Sequence, residues 1–201
     1  HPIMSLSNRK DSVLIIGGGD GLALREVLKY DAVRSVDLVD IDPKILEMAK
    51  RTHVLTSINQ NSLSHEKVNV IAMDAYKYLE IVNRTKYDVI LIDLPDPHNE
   101  SLSKLYSLQF YKMILRSIKP NGVFVTQGTS PFTSRISYWT IDNTIHTAGF
   151  HTVNYHVVVP SFGIWGFHIG SIKEINLLDI IIQKSNLKFM TSDIFKSSLR
   201  F

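Results

Sequence analysis

The places where the β-rich runs stop constrain this chain more than any other feature. Four successive runs, over 12–16, 35–39, 68–72 and 87–92, end at or just before a glycine or an aspartate. The first closes on Gly17-Gly18-Gly19-Asp20-Gly21, the second on Asp40-Ile41-Asp42-Pro43, the third on Met73-Asp74-Ala75 and the fourth on Asp93-Leu94-Pro95-Asp96-Pro97. Helical spacing of apolar residues follows over 22–29, 44–53, 75–81 and 105–118. Strands alternating with helices are the pattern of stacked βαβ units, and they predict a doubly wound α/β fold with a mostly parallel sheet. In such a sheet, ligands bind beyond the carboxyl ends of the strands, near the point where strand order reverses. The recurring carboxylates therefore stand where a ligand would meet them.

The remaining segments complete that sheet. Lys119-Pro120-Asn121-Gly122 reads as a turn into a strand over 123–127, and a helix fits 134–148, ended by Gly149. Strands over 152–159 and 165–171 flank a turn at 160–163 and are expected to form an antiparallel hairpin, making seven strands. Residues 177–201 read as one or two short helices with a polar linker. Residues 12–201 read as the main domain, with 1–11 ahead of it.

Composition narrows the chemistry. With 201 residues the chain is the size of one globular domain, and its apolar stretches are far shorter than the roughly 18 residues of a membrane span. Zero cysteines exclude a disulfide scaffold, a thiolate zinc site and a cysteine nucleophile. The 22 Lys and Arg against 19 Asp and Glu are scattered, so no nucleic-acid partner is expected. His53, His65, His98, His146, His151, His156 and His168 show no metalloprotease-type spacing; they read as surface or turn residues, and no metal is expected.

The glycine run lacks the lysine and Ser/Thr of a phosphate-binding loop, and Asp20 within it would repel a pyrophosphate. A cationic ligand suits it better. Asp40, about twenty residues beyond the loop, is placed to accept hydrogen bonds from ribose hydroxyls. Asp74 stands where an adenine amino group is commonly met. Each aspartate alone is as well explained by a turn or a helix cap. The set fits a positively charged adenosine without phosphates: S-adenosylmethionine or its decarboxylated relative. Tyr106, Phe110 and Tyr111 have core spacing, with Tyr106 the candidate for the site. Trp165 fits either a pocket wall or packing on the sheet, and 101–104 either a gate or a plain loop.

The strings VLIIGGGDG, VDIDP, Met73-Asp74-Ala75, DLPDP, Leu105-Tyr106 with Phe110-Tyr111, and PSFGIWGF resemble the polyamine aminopropyltransferases, the spermidine synthase family, in order and spacing from Val13 to Phe201. The resemblance implies a Rossmann-like fold of the S-adenosylmethionine methyltransferase type. It implies transfer of an aminopropyl group from decarboxylated S-adenosylmethionine, a co-substrate, to putrescine or a longer polyamine, with no prosthetic group. Asp93 becomes the proton acceptor. Gly17, Gly18, Gly19, Asp20, Asp40, Ile41, Asp74 and Ala75 become nucleoside contacts, and Asp20, Asp96, Tyr106, Gln127, Phe162 and Trp165 substrate contacts. Phe162 replaces a family tyrosine, which leaves the amine open. The family's amino-terminal β domain supplies a Gln and a Tyr to the site, and the resemblance implies that residues 1–11 are the remnant of that domain, missing here, or a linker. The DLPDP loop and 98–106 resemble most the bacterial branch in which this domain follows a membrane-embedded region, implying a cytoplasmic-side location and attachment only through a segment outside this chain. A homodimer is a further expectation. A methyltransferase of the same fold and a noncatalytic nucleoside- or polyamine-binding module are the alternatives.

Overall fold

Val13, Leu14, Ile15 and Ile16 leave β1 (Ser12–Gly17) no polar face, so the strand needs cover on both sides. It lies inside a seven-stranded sheet, between β2 (Ser35–Asp40) and β4 (Tyr87–Asp93). The computed structural model describes residues 1–82, 86–161, 163–176, 181–182, 184 and 187–201. With β3 (Val68–Ala72), β5 (Ile118–Gln127), β6 (His151–Val159) and β7 (Gly163–Ser171), the strand order is β3-β2-β1-β4-β5-β7-β6. The first five strands run parallel, and β7 is antiparallel to both β5 and β6, so the expected hairpin is present.

Helices cover both faces. Val13 and Ile15 pack into a core with α1 (Pro2–Leu6), α2 (Leu22–Val27), α3 (Pro43–Arg51) and α9 (Ser192–Ser198). Leu14 and Ile16 point the other way, into a core with α5 (Ala75–Ile81), α7 (Leu108–Ser117) and α8 (Arg135–Thr147). Truncating Ile15 to alanine would cost about 2–5 kcal/mol, because a residue with 0% exposure leaves a cavity its neighbours only partly fill. The chain leaves β1 for β2 on one side and later returns to β4 on the other. Gly17 and Asp93 are paired across that reversal, at the carboxyl ends of the two strands.

Local chemistry moved several expected boundaries. The helix expected over 44–53 stops at Arg51; Thr52 is extended, and His53 opens a separate helix, α4 (His53–Asn59). The helix expected over 105–118 divides at Ser107, whose hydroxyl accepts the Phe110 N–H and caps α7; a 3-10 turn, Lys104–Tyr106, precedes it. The turn expected at 119–122 is instead a bulge inside β5, where the register to β4 slips between Ile118 and Val123. Residues 1–11 contain helix α1, whose Ile3 and Met4 are buried in the same core as β1. Of the helices expected over 177–201, α9 is seen; 177–180, 183 and 185–186 lie outside the described residues, as does Phe162. Among the described residues no helix is long and apolar enough to cross a membrane.

Candidate active site

Two cavities open at the carboxyl edge of the sheet, and they meet at Asp93. The larger, about 640 Å³, lies over the ends of β1, β2 and β3, floored by Gly17 to Asp20 and walled by Asp40, Ile41, Asp74 and Ala75. The smaller, about 440 Å³, lies toward the hairpin and is lined by Asp96, Gln127, Val159, Trp165 and Phe167. Asp93, Leu94 and Pro95 line both.

The glycine floor is dictated by close approach. Gly17 has φ +79°, and a Cβ there would lie 2.0 Å from the Asp93 carbonyl oxygen. At Gly19 a Cβ would lie 2.6 Å from Asp40 Oδ2, which instead accepts the Gly19 N–H at 2.9 Å. The same carboxylate accepts the Asp42 N–H at 2.9 Å through Oδ1. Asp20 accepts the Leu22 N–H at the start of α2, and Asp74 caps α5 by accepting the Lys77 N–H. These turn and cap roles leave acceptor capacity unused, since a carboxylate offers about four acceptor sites. Among the described residues the lining of the larger cavity carries four carboxylates, Asp20, Asp40, Asp74 and Asp93, and no Lys, Arg or His. Such a site repels phosphate and attracts a cation.

Asp93 keeps solvent access into both cavities but is ringed by protein. That desolvation first, then the negative charges of Asp20 and Asp40, pushes its carboxyl above the ordinary carboxylate value. A raised pKa makes it a stronger proton acceptor than a solvated aspartate. The second carboxylate of the loop, Asp96, accepts the Gln127 amide at 3.0 Å.

The comparisons with known proteins agree with this geometry. The sequence matches the family model for the spermine/spermidine synthase domain over residues 1–180. The chain belongs to the spermine/spermidine synthase family. It is 47% identical, over all of its 201 residues, to a polyamine aminopropyltransferase of Oceanobacillus iheyensis, and spans 39% of that relative's length. The crystal structure of spermidine synthase from Thermotoga maritima superposes with a TM-score of 0.88 at 27% identity, covering 100% of this chain and 69% of that one. A spermidine synthase in complex with the transition-state analogue AdoDATO gives 0.86 at 26% identity, covering 100% and 68%.

Within this family member the structure gathers Gly17, Gly18, Gly19, Asp20, Asp40, Ile41, Asp74, Ala75 and Asp93 around one cavity, and Asp96, Gln127 and Trp165 around the other. Tyr106 is buried behind the loop, its hydroxyl donating toward the Pro95 carbonyl at 3.1 Å and accepting from Gln127. The segment left open as gate or loop forms α6 (Glu100–Ser103), whose Ser101 and Leu102 roof the larger cavity with Leu105. Lys104 lies over the Tyr76 ring at 3.9 Å, fastening that roof to α5.

Ile45, Val159 and Phe167 line these cavities without having been singled out. Ile45 had a signal in its place in the first turn of α3, directly after the Asp40-Ile41-Asp42-Pro43 strand end; the other two had none. One reading is corrected: His168 is not a surface or turn residue but has 0% exposure. It lies on β7, an interior strand, where Nδ1 pairs with Asn154 Oδ1 at 2.7 Å and the Tyr138 ring packs 4.2 Å from its own. Burial pushes its pKa down to about 4, against the opposing pull of Asp142.

Proposed function

We propose that this chain carries the catalytic site of a polyamine aminopropyltransferase that takes decarboxylated S-adenosylmethionine as donor and a diamine, putrescine first, as acceptor. One observation carries the reading: Asp93, with its raised proton affinity, stands at the junction of an anion-lined, nucleoside-sized cavity and a second cavity with a carboxylate and an aromatic wall. A donor in the first and an amine in the second would meet at that carboxylate. The AdoDATO complex of a spermidine synthase with the same fold supports the choice of chemistry.

The reaction is a displacement. The acceptor nitrogen forms a bond to the methylene carbon beside the sulfonium, the carbon–sulfur bond breaks, and its electron pair stays on sulfur as the neutral thioether of methylthioadenosine. The nucleophile must be the free amine. Removing a proton from an ammonium of pKa about 10.4 at pH 7 costs about 4.6 kcal/mol, which the nearby carboxylate of Asp93 offsets in part as it accepts that proton. Asp96 holds the incoming ammonium, and Asp20 pairs with the ammonium of the donor's aminopropyl arm. Asp40 takes the ribose hydroxyls and Asp74 the adenine amino group. A methyltransferase must also receive the amino acid carboxylate of its donor, and the four carboxylates with no basic side chain in the cavity lining oppose that.

The test is an assay of the full-length protein with decarboxylated and ordinary S-adenosylmethionine against a panel of amines. Methylthioadenosine released with stoichiometric aminopropylated amine is the expected outcome. Methyl transfer from the ordinary donor, or tight nucleoside binding without turnover, would sink the proposal.

A further inference from the structure

The side chain of Gln127 bonds, through the two ends of one amide, to the loop after β4, to Tyr106, to β7 and to the turn after β5. It closes β5 and is buried. Its Nε2 directs its two hydrogens among three acceptors: the Leu94 carbonyl at 2.6 Å, Asp96 Oδ1 at 3.0 Å and the Tyr106 hydroxyl at 2.8 Å. Its Oε1 accepts the Trp165 indole N–H at 2.9 Å and the Thr129 backbone N–H at 3.1 Å. The nitrogen end thus grips the loop after β4, and the oxygen end grips the hairpin and the turn after β5.

The loop needs this grip. Pro95 and Pro97 remove two backbone donors from it, so its course past Asp93 depends on bonds supplied by other elements. Thr129 adds a second sign of construction around Gln127. It is β-branched and yet held at φ +66°, a left-handed conformation that disfavours such a residue, and its N–H is aimed at Gln127 Oε1. Only an amide satisfies both sides at once. A carboxylate would turn acceptors toward the Leu94 carbonyl and Asp96, and a hydrocarbon would offer no acceptor to the Trp165 indole or the Thr129 N–H.

We infer that Gln127 is the positioning residue of the acceptor cavity: it acts through Asp96, fixing the direction of the carboxylate that holds the amine, rather than as an amine ligand itself. The identity of the amine rests on the aminopropyl-transfer reading above. The role of Gln127 rests on the geometry. A rotated Asp96 would carry the amine nitrogen off the line between Asp93 and the reacting carbon, and of the two cavities Gln127 and Asp96 line only the acceptor one.

A double-mutant cycle on the purified protein tests this, with Gln127→Met, Asp96→Asn and the pair together. Each single variant is expected to raise KM for the amine at least tenfold while KM for the donor changes less than twofold. The double variant is expected to be within twofold of Asp96→Asn alone, because one residue works through the other. Gln127→Glu, which keeps the acceptor for Trp165 and loses the donor to Asp96, should match Gln127→Met. Should Gln127→Met fail to fold, Tyr106→Phe, which removes only the hydroxyl on the same nitrogen, takes its place in the cycle. Losses that multiply in the double variant overturn the inference, and so does a donor KM that rises in step with the amine KM. If the wild type transfers no aminopropyl group, the function proposal fails by itself. The same cycle is then read as calorimetric affinity for putrescine, where multiplying losses, or no loss in Gln127→Met, overturn the positioning role.

Discussion

Asp37, Asp88 and Asp142 differ from Asp20, Asp40, Asp74 and Asp93 only in where the fold puts them, and the contrast separates carboxylates answered by side chains from those that line the cavity at the sheet edge. Asp37 accepts the hydroxyls of Tyr78 and Tyr87 at 3.1 and 2.6 Å and the Asn69 amide at 3.1 Å. Burial first, with the charge of Asp37 added, pushes Tyr78 up to about 12, so it remains a protonated donor at neutral pH. Asp88 is 3% exposed, and burial alone would raise it; Lys119 at 2.8 Å and Ser12 override that and hold it below the usual carboxylate range. Asp142 accepts the Thr152 hydroxyl at 2.7 Å. These three are answered by side chains of their own protein. At the carboxyl edge Asp20, Asp40 and Asp74 accept backbone N–H groups, and no salt bridge is found at any of the four among the described residues. Their negative charge remains for a partner from outside.

The contrast can be broken by substitution. Asp93→Asn should lower kcat by about a hundred- to ten-thousandfold, the usual worth of a general base, in a rate assay with saturating donor. The same change should raise the melting temperature. The native pKa of Asp93 lies above its unfolded value, so at neutral pH its ionised form costs stability, and asparagine removes that cost. An Asp93→Asn protein that is both active and less stable would put Asp93 with the structural group.

His168 sharpens the contrast from the structural side. Its native pKa of about 4 lies below the ordinary histidine value of about 6.5, so the unfolded chain binds its proton first. Stability is then full above about pH 6.5 and declines as pH falls toward about 4, by an amount on the order of 3 kcal/mol. Urea unfolding of wild type and His168→Gln across that window measures it, and parallel pH profiles would refute it. Asp142, His146 and Tyr138 surround this histidine and are held constant in the comparison.

Asp37→Ala should cost roughly 2 kcal/mol in urea unfolding with both KM values unchanged, because three donors lose an acceptor that lines neither cavity. A change in donor KM would show that Asp37 is not purely structural. The smallest effect expected is on the acid limb of kcat/KM. Asp93 places that limb above the ordinary carboxylate range, and Asp20→Asn removes one of the charges that raises it, moving the limb to lower pH. A limb that stays in place would assign it to another group.

Much of this was legible in one dimension. Strand–helix alternation specified the sheet and both of its faces, because a strand apolar on both sides such as β1 has no stable position except between covered neighbours. The strand-end aspartates and Gly17 were legible for the same reason: parallel connections deliver every strand end to one edge. Burial and partnership were not. Nothing near His168 in the chain announces that β7 would be an interior strand, and nothing near Gln127 announces Leu94, Asp96, Tyr106 and Trp165, which lie 21 to 38 residues away. The order of residues determined which groups stand at the edge of the sheet. Only the folded chain decided which of them find a partner within the protein, because that depends on contacts between segments that no local pattern encodes.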